Sequence, residues 1–268
     1  MKKKKMGFAI PLVLPVTQKC NLNCTYCSVQ QSERKNLPDI KNEIILNNYN
    51  KIRKKHPFET LELFATGGEP LINWDAINQI DSIKEKDQKT ICSVTTNGTL
   101  TDRVINLAKK DWEIRVSHNG IFNEINRGKT KDAERTLLLL SKIPEAEYLV
   151  RMTIDKNGFD YLENSFKDLS ERLKVKKIVI GEIVDYKTRE HVKKELINDS
   201  GREKIMNLAK NYGLEVIIIS DGPCDLATHG YCVFPDGRLS ICSMKYTFPS
   251  KELRDKAKKQ GCLIKPYL

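Results

Sequence analysis

The sequence predicts an α/β fold: a partial (β/α)6 barrel followed by a small α+β domain. Three observations carry this expectation. Strand-like and helix-like segments alternate six times up to Gly213, the pattern of a parallel sheet with helices outside it. Six units fall short of the eight of a closed barrel. After Gly213 the pattern changes to short strands, and four of the chain's eight cysteines lie there. The expected domains are therefore residues 1–213 and 214–268.

The elements follow in order. Phe8–Val16 reads as a buried first strand. It imitates a secretory signal, but Pro11 and Pro15 interrupt it and no small-residue cleavage site follows. A Cys-rich loop leads to a helix over Asp39–His56, with Ile44, Ile45, Tyr49 and Ile52 at near-helical spacing. Thr60–Thr66 is a strand ending in Gly67-Gly68-Glu69-Pro70. Trp74–Lys86 is a helix and Thr90–Thr96 a strand ending at Asn97-Gly98. Thr101 is the expected N-cap of a helix to Lys110.

Trp112–Ser117 is the fourth strand. Lys131–Lys142 is helical, Tyr148–Ile154 the fifth strand, Phe159–Lys174 one amphipathic helix and Lys176–Val184 the sixth strand. Ser200 is expected to cap a helix that stops at Gly213. Leu214–Ser220 is a short strand. Gly230–Cys242 reads as a hairpin turning at Pro235-Asp236-Gly237, because Asp-Gly suits that turn. Ser250–Gln260 reads as a basic helix. In such folds chemistry sits at the C-terminal ends of the strands, where the polar clusters fall.

Composition narrows the class. Hydrophobic residues are 40% and charged residues 30%, so the chain can bury a core. No apolar run approaches the roughly 20 residues of a membrane span. The net charge of +11 resides mainly in two basic ends, Lys2–Lys5 and residues 251–268. A basic patch attracts nucleic acid or acidic peptides, but charge alone specifies no partner and a solvated, solubilising tail is expected ahead of one, so nucleic acid is not the favoured partner. Eight cysteines are too few for a disulfide scaffold; in a reducing, cytoplasmic setting they point to metal chemistry.

Cys20, Cys24 and Cys27 form C-x3-C-x2-C in the loop after the first strand. Three thiolates on a short loop can ligate three irons of a cubane cluster and leave the fourth iron open. A tetrahedral zinc site would want a fourth Cys or His nearby, and none follows before His56. The motif CNLNCTYC, with Tyr26 as its aromatic, resembles the signature of radical S-adenosylmethionine enzymes. Gly67-Gly68-Glu69-Pro70 after strand two matches a second family feature at the expected place.

The resemblance implies a TIM-like partial barrel, a 4Fe-4S cluster on Cys20, Cys24 and Cys27, and S-adenosylmethionine (AdoMet) chelated to the open iron. Gly67 and Gly68 would admit the backbone close to the AdoMet amino group, and Glu69 would accept from it. Tyr26 would lie near the adenine. Thr95, Asn97 and Ser117 match positions contacting the ribose or the methionine carboxylate. Arg151 has the charge to pair with that carboxylate. Taken singly, Thr95, Asn97, Ser117 and Arg151 also read as turn residues or surface ion pairs. The implied mechanism is reductive cleavage of AdoMet to a 5′-deoxyadenosyl radical, which abstracts hydrogen from a substrate carbon; an external donor such as flavodoxin or ferredoxin supplies the electron.

The late cysteines extend this. Cys224, the Gly237 turn and Cys242 are similar to the opening hairpin of SPASM and twitch domains, which hold auxiliary iron–sulfur clusters, and Cys262 suits a further ligand. Cys232 stays open between cluster ligand, hydrogen donor to a substrate radical and structural thiol. The bland reading of the set is a zinc site. Cys92 reads as a core thiol. Of the four histidines only His118, beside Ser117, is a candidate for substrate contact, with a structural role expected ahead of it.

The leading function is radical modification of a peptide by oxidation, crosslinking or epimerisation, although no leader-recognition domain precedes residue 8. The alternatives are a radical dehydrogenase or epimerase of cyclitol or aminoglycoside type, an enzyme acting on RNA or nucleotides, and a non-catalytic iron–sulfur protein, which would not need GGEP. No resemblance to the molybdenum-cofactor GTP cyclase is expected, because its glycine-rich tail is missing.

Overall fold

The computed structural model of the chain describes residues 9–27, 38–182, 197–218 and 230–240. Along these the order is β1 (Ile10–Thr17), α1 (Asn42–Lys55), β2 (Leu61–Gly67), α2 (Trp74–Lys86), β3 (Thr90–Thr96), α3 (Thr101–Lys109), β4 (Glu113–Ser117), α4 (Asn123–Arg127), α5 (Thr130–Leu140), β5 (Tyr148–Ile154), α6 (Lys156–Asp160), α7 (Leu162–Lys167), β6 (Lys177–Glu182), α8 (Asp199–Asn211), β7 (Glu215–Ile218), β8 (Tyr231–Val233) and β9 (Leu239–Ser240). The chain divides into two compact units. One holds Met1–Lys19, Glu33–Val94 and Asp221–Leu268; the other holds Cys20–Ser32 and Thr95–Ser220.

In the first unit β1 runs parallel to β2, and β2 to the first five residues of β3. Alternation sets the faces: Leu61, Leu63 and Ala65 are buried, while Glu62, Phe64 and Thr66 on the opposite face are half-buried. α1 buries Ile45, Tyr49 and Ile52, and α2 buries Ile77, Ile80 and Ile83, the stripes that periodicity marks. β8 adds to the free side of β1 in parallel, with Leu12 opposite Tyr231 and Val13 opposite Cys232. Pro11 and Pro15 flank that short register, so neither removes an N–H from a residue that pairs with β8.

β8 and β9 form the expected hairpin, Cys232 opposite Ser240. Its turn closes through Phe234 N–H to Arg238 O at 2.9 Å, and Gly237 takes φ +86°, a conformation that favours glycine. α1 holds the hairpin: Asn48 Nδ2 donates to Gly237 O at 3.2 Å, and His56 Nε2 lies 2.9 Å from the Tyr231 hydroxyl. Residues 219–229 and 241–268, which make up most of the expected second domain and include the segment Ser250–Gln260 expected as a basic helix, lie outside the described residues.

The second unit is a parallel run of β4, β5, β6 and β7. Trp112, Ile114, Val116, Val150, Met152, Ile178 and Ile180 are buried beneath its helices. Within each unit neighbouring strands of the α/β body are parallel, the pairing that a partial barrel is built from.

Three local expectations are corrected. Thr101 is not an N-cap: Leu100 occupies that position, and the buried Thr101 hydroxyl lies 2.8 Å from Thr136 Oγ1, which itself donates to Gly98 O at 2.6 Å. Ser200 does not cap α8; Asn198 does, accepting from Gly201 N–H at 2.9 Å, because its side chain precedes the first turn by the right spacing. The single helix over Phe159–Lys174 is broken. Asp155 caps an earlier start by accepting from Gly158 N–H, the chain breaks at Tyr161, and the end widens into a π-turn at Asp168–Arg172.

Candidate functional site

The GGEP segment belongs to the first unit, and its glycines are required by a close backbone crossing. Gly68 N–H donates to Thr17 O at 2.7 Å, and Glu69 N–H to Lys19 O at 2.8 Å. A Cβ on Gly67, which has φ +130°, would lie 2.0 Å from Thr17 O; one on Gly68 would lie 2.4 Å from Lys19 O. The pair thus clasps the end of β1 immediately before Cys20. Glu69 is fully buried, and its Oε1 accepts from Leu71 N–H at 3.1 Å, capping the 3-10 turn Pro70–Ile72. Thr17 and Lys19 are fixed in turn by Asp39, at 2.6 and 2.7 Å.

The cysteine loop belongs to the second unit. Cys20, Cys24 and Cys27 are half-buried, and none of them is in a disulfide. Cys27 N–H turns back to Cys24 O at 3.2 Å. Asn97, buried at the end of β3, donates from Nδ2 to Asn21 Oδ1 at 2.8 Å and reaches Cys20 Sγ at 3.9 Å. Asn21 donates onward to Thr99 Oγ1 at 2.8 Å, and the Thr99 hydroxyl returns to Asn97 Oδ1 at 2.7 Å. This closed ring of side chains fixes the start of the loop.

Tyr26 fixes its far end. The phenol accepts from Arg127 Nη1 at 2.6 Å and donates to Asn119 Oδ1 at 3.2 Å. The Arg127 guanidinium also stands 6.0 Å from the ring centroid. Thr25 N–H donates to Asn126 O at 3.0 Å, a backbone link between the loop and α4. Burial raises the Tyr26 pKa, with Arg127 opposing.

Ser117 and Arg151 are register partners on β4 and β5, so their side chains leave the same face, Ser117 half-buried and Arg151 exposed. Thr95 Oγ1 and Asn119 Nδ2 are buried polar atoms that have no hydrogen-bond partner among the described residues. His118 is fully buried; its Nδ1 accepts from Gly120 N–H at 3.1 Å, while its Nε2 has no hydrogen-bond partner among the described residues. Cys232 is also fully buried, beside Val13 and Ser240. Cys92 is a core thiol with its pKa raised by burial. Cys224, Cys242 and Cys262 lie outside the described residues.

Sequence reasoning missed Arg127, Asn119 and Asn21. The Asn119-Gly120 step reads only as a turn, and nothing local marks Arg127, which is distant from Tyr26 in the chain and meets it only through folding.

The family model of the radical SAM superfamily matches residues 14–222. The chain belongs to that superfamily. Radical SAM cyclopropyl synthase TigE of Paramaledivibacter caminithermalis is 29% identical over 278 residues, covering 91% of this chain and 57% of TigE. The chain therefore spans little more than half of that relative's length. GTP 3′,8-cyclase of Limosilactobacillus fermentum is 25% identical over 233 residues, covering 81% of this chain and 65% of the cyclase. The expected lack of likeness to a GTP cyclase does not hold over that span.

Among solved structures, Streptococcus suis SuiB bound to precursor peptide SuiA matches with TM-score 0.72 at 14% identity, over 91% of this chain and 62% of SuiB. Native anSMEcpe with bound AdoMet and Cp18Cys peptide matches with TM-score 0.65 at 18% identity, over 93% of this chain and 82% of its own. At such identities these likenesses establish the fold.

Family membership implies a 4Fe-4S cluster and AdoMet. Among the described residues no three Cys, His, Asp or Glu side chains converge on a common metal position. The donor set nevertheless fits the cluster in kind: three half-buried thiols, none in a disulfide, on one loop whose two ends are pinned by Asn97 and Arg127. No helix among the described residues is long and apolar enough to cross a membrane.

Proposed function

We propose that this radical SAM chain modifies a peptide, starting from reductive cleavage of AdoMet. The observation that carries the reading is the family match over 14–222, which contains both CNLNCTYC and GGEP. When bound, the cluster supplies the electron that splits AdoMet into methionine and the hydrogen-abstracting 5′-deoxyadenosyl radical. Cys20, Cys24 and Cys27 would hold it. Gly67, Gly68 and Glu69 would bind the AdoMet amino end, Tyr26 the adenine, and Thr95, Asn97, Ser117 and Arg151 its ribose and carboxylate. The Thr95 hydroxyl, buried without a partner among the described residues, is a donor in search of such an acceptor.

The peptide reading is supported by the two fold matches solved with peptides bound, SuiB and anSMEcpe. Dehydrogenation, crosslinking and epimerisation all begin with the same abstraction. The GTP 3′,8-cyclase likeness favours a nucleotide as the second reading. An auxiliary iron–sulfur cluster on Cys224, Cys232, Cys242 and Cys262, an external flavodoxin- or ferredoxin-type donor and a cytoplasmic setting complete the proposal.

The test uses anaerobically reconstituted full chain with dithionite and AdoMet. 5′-Deoxyadenosine is expected, with deuterium carried into it from a labelled peptide. A peptide panel that stays inert while GTP or a cyclitol transfers deuterium overturns the substrate class. Absence of 5′-deoxyadenosine with a full iron complement overturns the enzymatic reading.

A further inference from the structure

We infer that Arg127 is a positioning residue for the cluster-binding loop: it anchors Tyr26 and brings a fixed positive charge to the otherwise uncharged segment CNLNCTYC. The inference rests on the proposed cluster role of Cys20, Cys24 and Cys27, but its geometric half stands without it.

The segment CNLNCTYC contains no Asp, Glu, Lys or Arg. Three thiolates around an iron–sulfur core bring net negative charge, which a reduced cluster increases. A compensating cation comes from outside that segment: Lys19, just before it, is paired with Asp39 at 2.7 Å, and α4 supplies another. Asn126 O takes Thr25 N–H at 3.0 Å, so α4 lies against the loop by its backbone. The next residue, Arg127, ends the helix. Gly128 follows at φ +72°, with its N–H shared between Asn123 O and Glu124 O at 3.2 and 3.0 Å, and Lys129 follows at φ +49°. This left-handed exit turns the chain away directly after Arg127.

Arg127 Nη1 then meets Tyr26 Oη at 2.6 Å, and the phenol passes the link to Asn119 at 3.2 Å. Asn119 is itself held, its N–H donating to Asn123 Oδ1 at 3.1 Å. The anchor therefore starts and ends on the α4 segment, and Tyr26 is caught inside it. Burial opposes the Arg127 charge, but Tyr26, Cys24 and Cys20 outweigh it and raise the guanidinium pKa. A cation so placed favours the more negative state of whatever the thiolates bind, and so raises its reduction potential.

The experiment compares wild type, Arg127→Met, Arg127→Lys and Tyr26→Phe as full chains. In the apo protein, hydrogen exchange at Thr25 is expected to quicken about tenfold in Arg127→Met, as loss of one anchoring hydrogen bond of about 1.4 kcal/mol predicts. After anaerobic reconstitution, an EPR-monitored redox titration reads the potential. Arg127→Met is expected to shift it negative. Arg127→Lys keeps the charge and should restore most of the shift while leaving exchange fast, because ammonium lacks the planar fork. Tyr26→Phe should quicken exchange with a smaller shift.

Unchanged exchange and an unchanged potential in Arg127→Met overturn the inference. Should Arg127→Met fail to fold, Arg127→Lys and Tyr26→Phe decide it: slow exchange in both overturns the anchor. A wild type that binds no iron cluster overturns the proposed function instead, and the apo exchange still judges the anchor.

Discussion

The Asn97 amide stands between Cys20 and Asn21, 3.9 Å from the sulfur of one and 2.8 Å from the carbonyl oxygen of the other. One side chain from the end of a strand thereby sets the position of the first cysteine. Its own oxygen is taken by the Thr99 backbone N–H at 2.9 Å, so the donor end is forced toward the loop. Asn97→Asp keeps that acceptor and removes the donor. Reconstituted Asn97→Asp is expected to lose iron to a chelator severalfold faster than wild type, with thermal stability lowered by about 1 kcal/mol. Iron per chain over time checks it.

Gly67→Ala and Gly68→Ala should unfold the first unit more readily, each by more than about 3 kcal/mol. The added Cβ meets carbonyl oxygens at 2.0 and 2.4 Å, and those are backbone atoms that cannot rotate away. Gly213→Ala is the control. It shares a positive φ, +62°, but its Cβ enters open space, so it should cost about 1 kcal/mol. Urea denaturation measures all three; equal costs would show that conformation, not the crossing, requires the glycines.

His118 gives the stability a pH dependence. Burial lowers its pKa from 6.5 to about 4. The unfolded chain therefore takes up a proton near pH 6.5 that the folded chain refuses until about pH 4. Its contribution is full above the unfolded value and is lost as pH falls through that window, by about 3 kcal/mol in total. His118→Asn retains an acceptor for Gly120 N–H and does not titrate. Between pH 7.5 and 5 wild type should lose about 2 kcal/mol more than this variant, measured by urea unfolding at both pH values.

The cysteines should separate by reactivity. In apo protein Cys20, Cys24 and Cys27 are half-buried and should alkylate readily, whereas Cys92 and Cys232 are buried and should stay protected until unfolding. Mass spectrometry of iodoacetamide-treated protein reads this site by site. Rapid native labelling of Cys232 would show that the β8–β9 hairpin opens.

Replacing Cys20, Cys24 and Cys27 together by Ala should abolish 5′-deoxyadenosine formation and leave any iron held by the later cysteines. If the triple variant binds zinc and no iron, the auxiliary iron–sulfur cluster is wrong. Metal analysis of anaerobically purified protein decides it.

Much of the fold was legible because its signals are local. Apolar periodicity marked α1 and α2, the alternation of strand-like and helix-like segments marked the parallel strands, and Asp236-Gly237 marked the hairpin turn. The caps of α3 and α8 were misread for one reason: Thr101 and Ser200 suit the role chemically, but a buried partner at Thr136 and a better-spaced Asn198 win. The break at Tyr161 carried no glycine or proline to announce it.

By itself the sequence determined the chemistry on offer: three thiols at cluster spacing, a paired glycine at a strand end and an α/β body to carry them. These follow from residue type and short-range spacing, which the chain fixes before it folds. Only the tertiary structure decided what those residues touch. It set Gly67 and Gly68 against Thr17–Lys19, placed Cys232 beside Val13 in β1, and brought Arg127 to Tyr26 across a hundred residues of chain. Such contacts depend on strand register and helix placement, so no local pattern in the sequence can specify them.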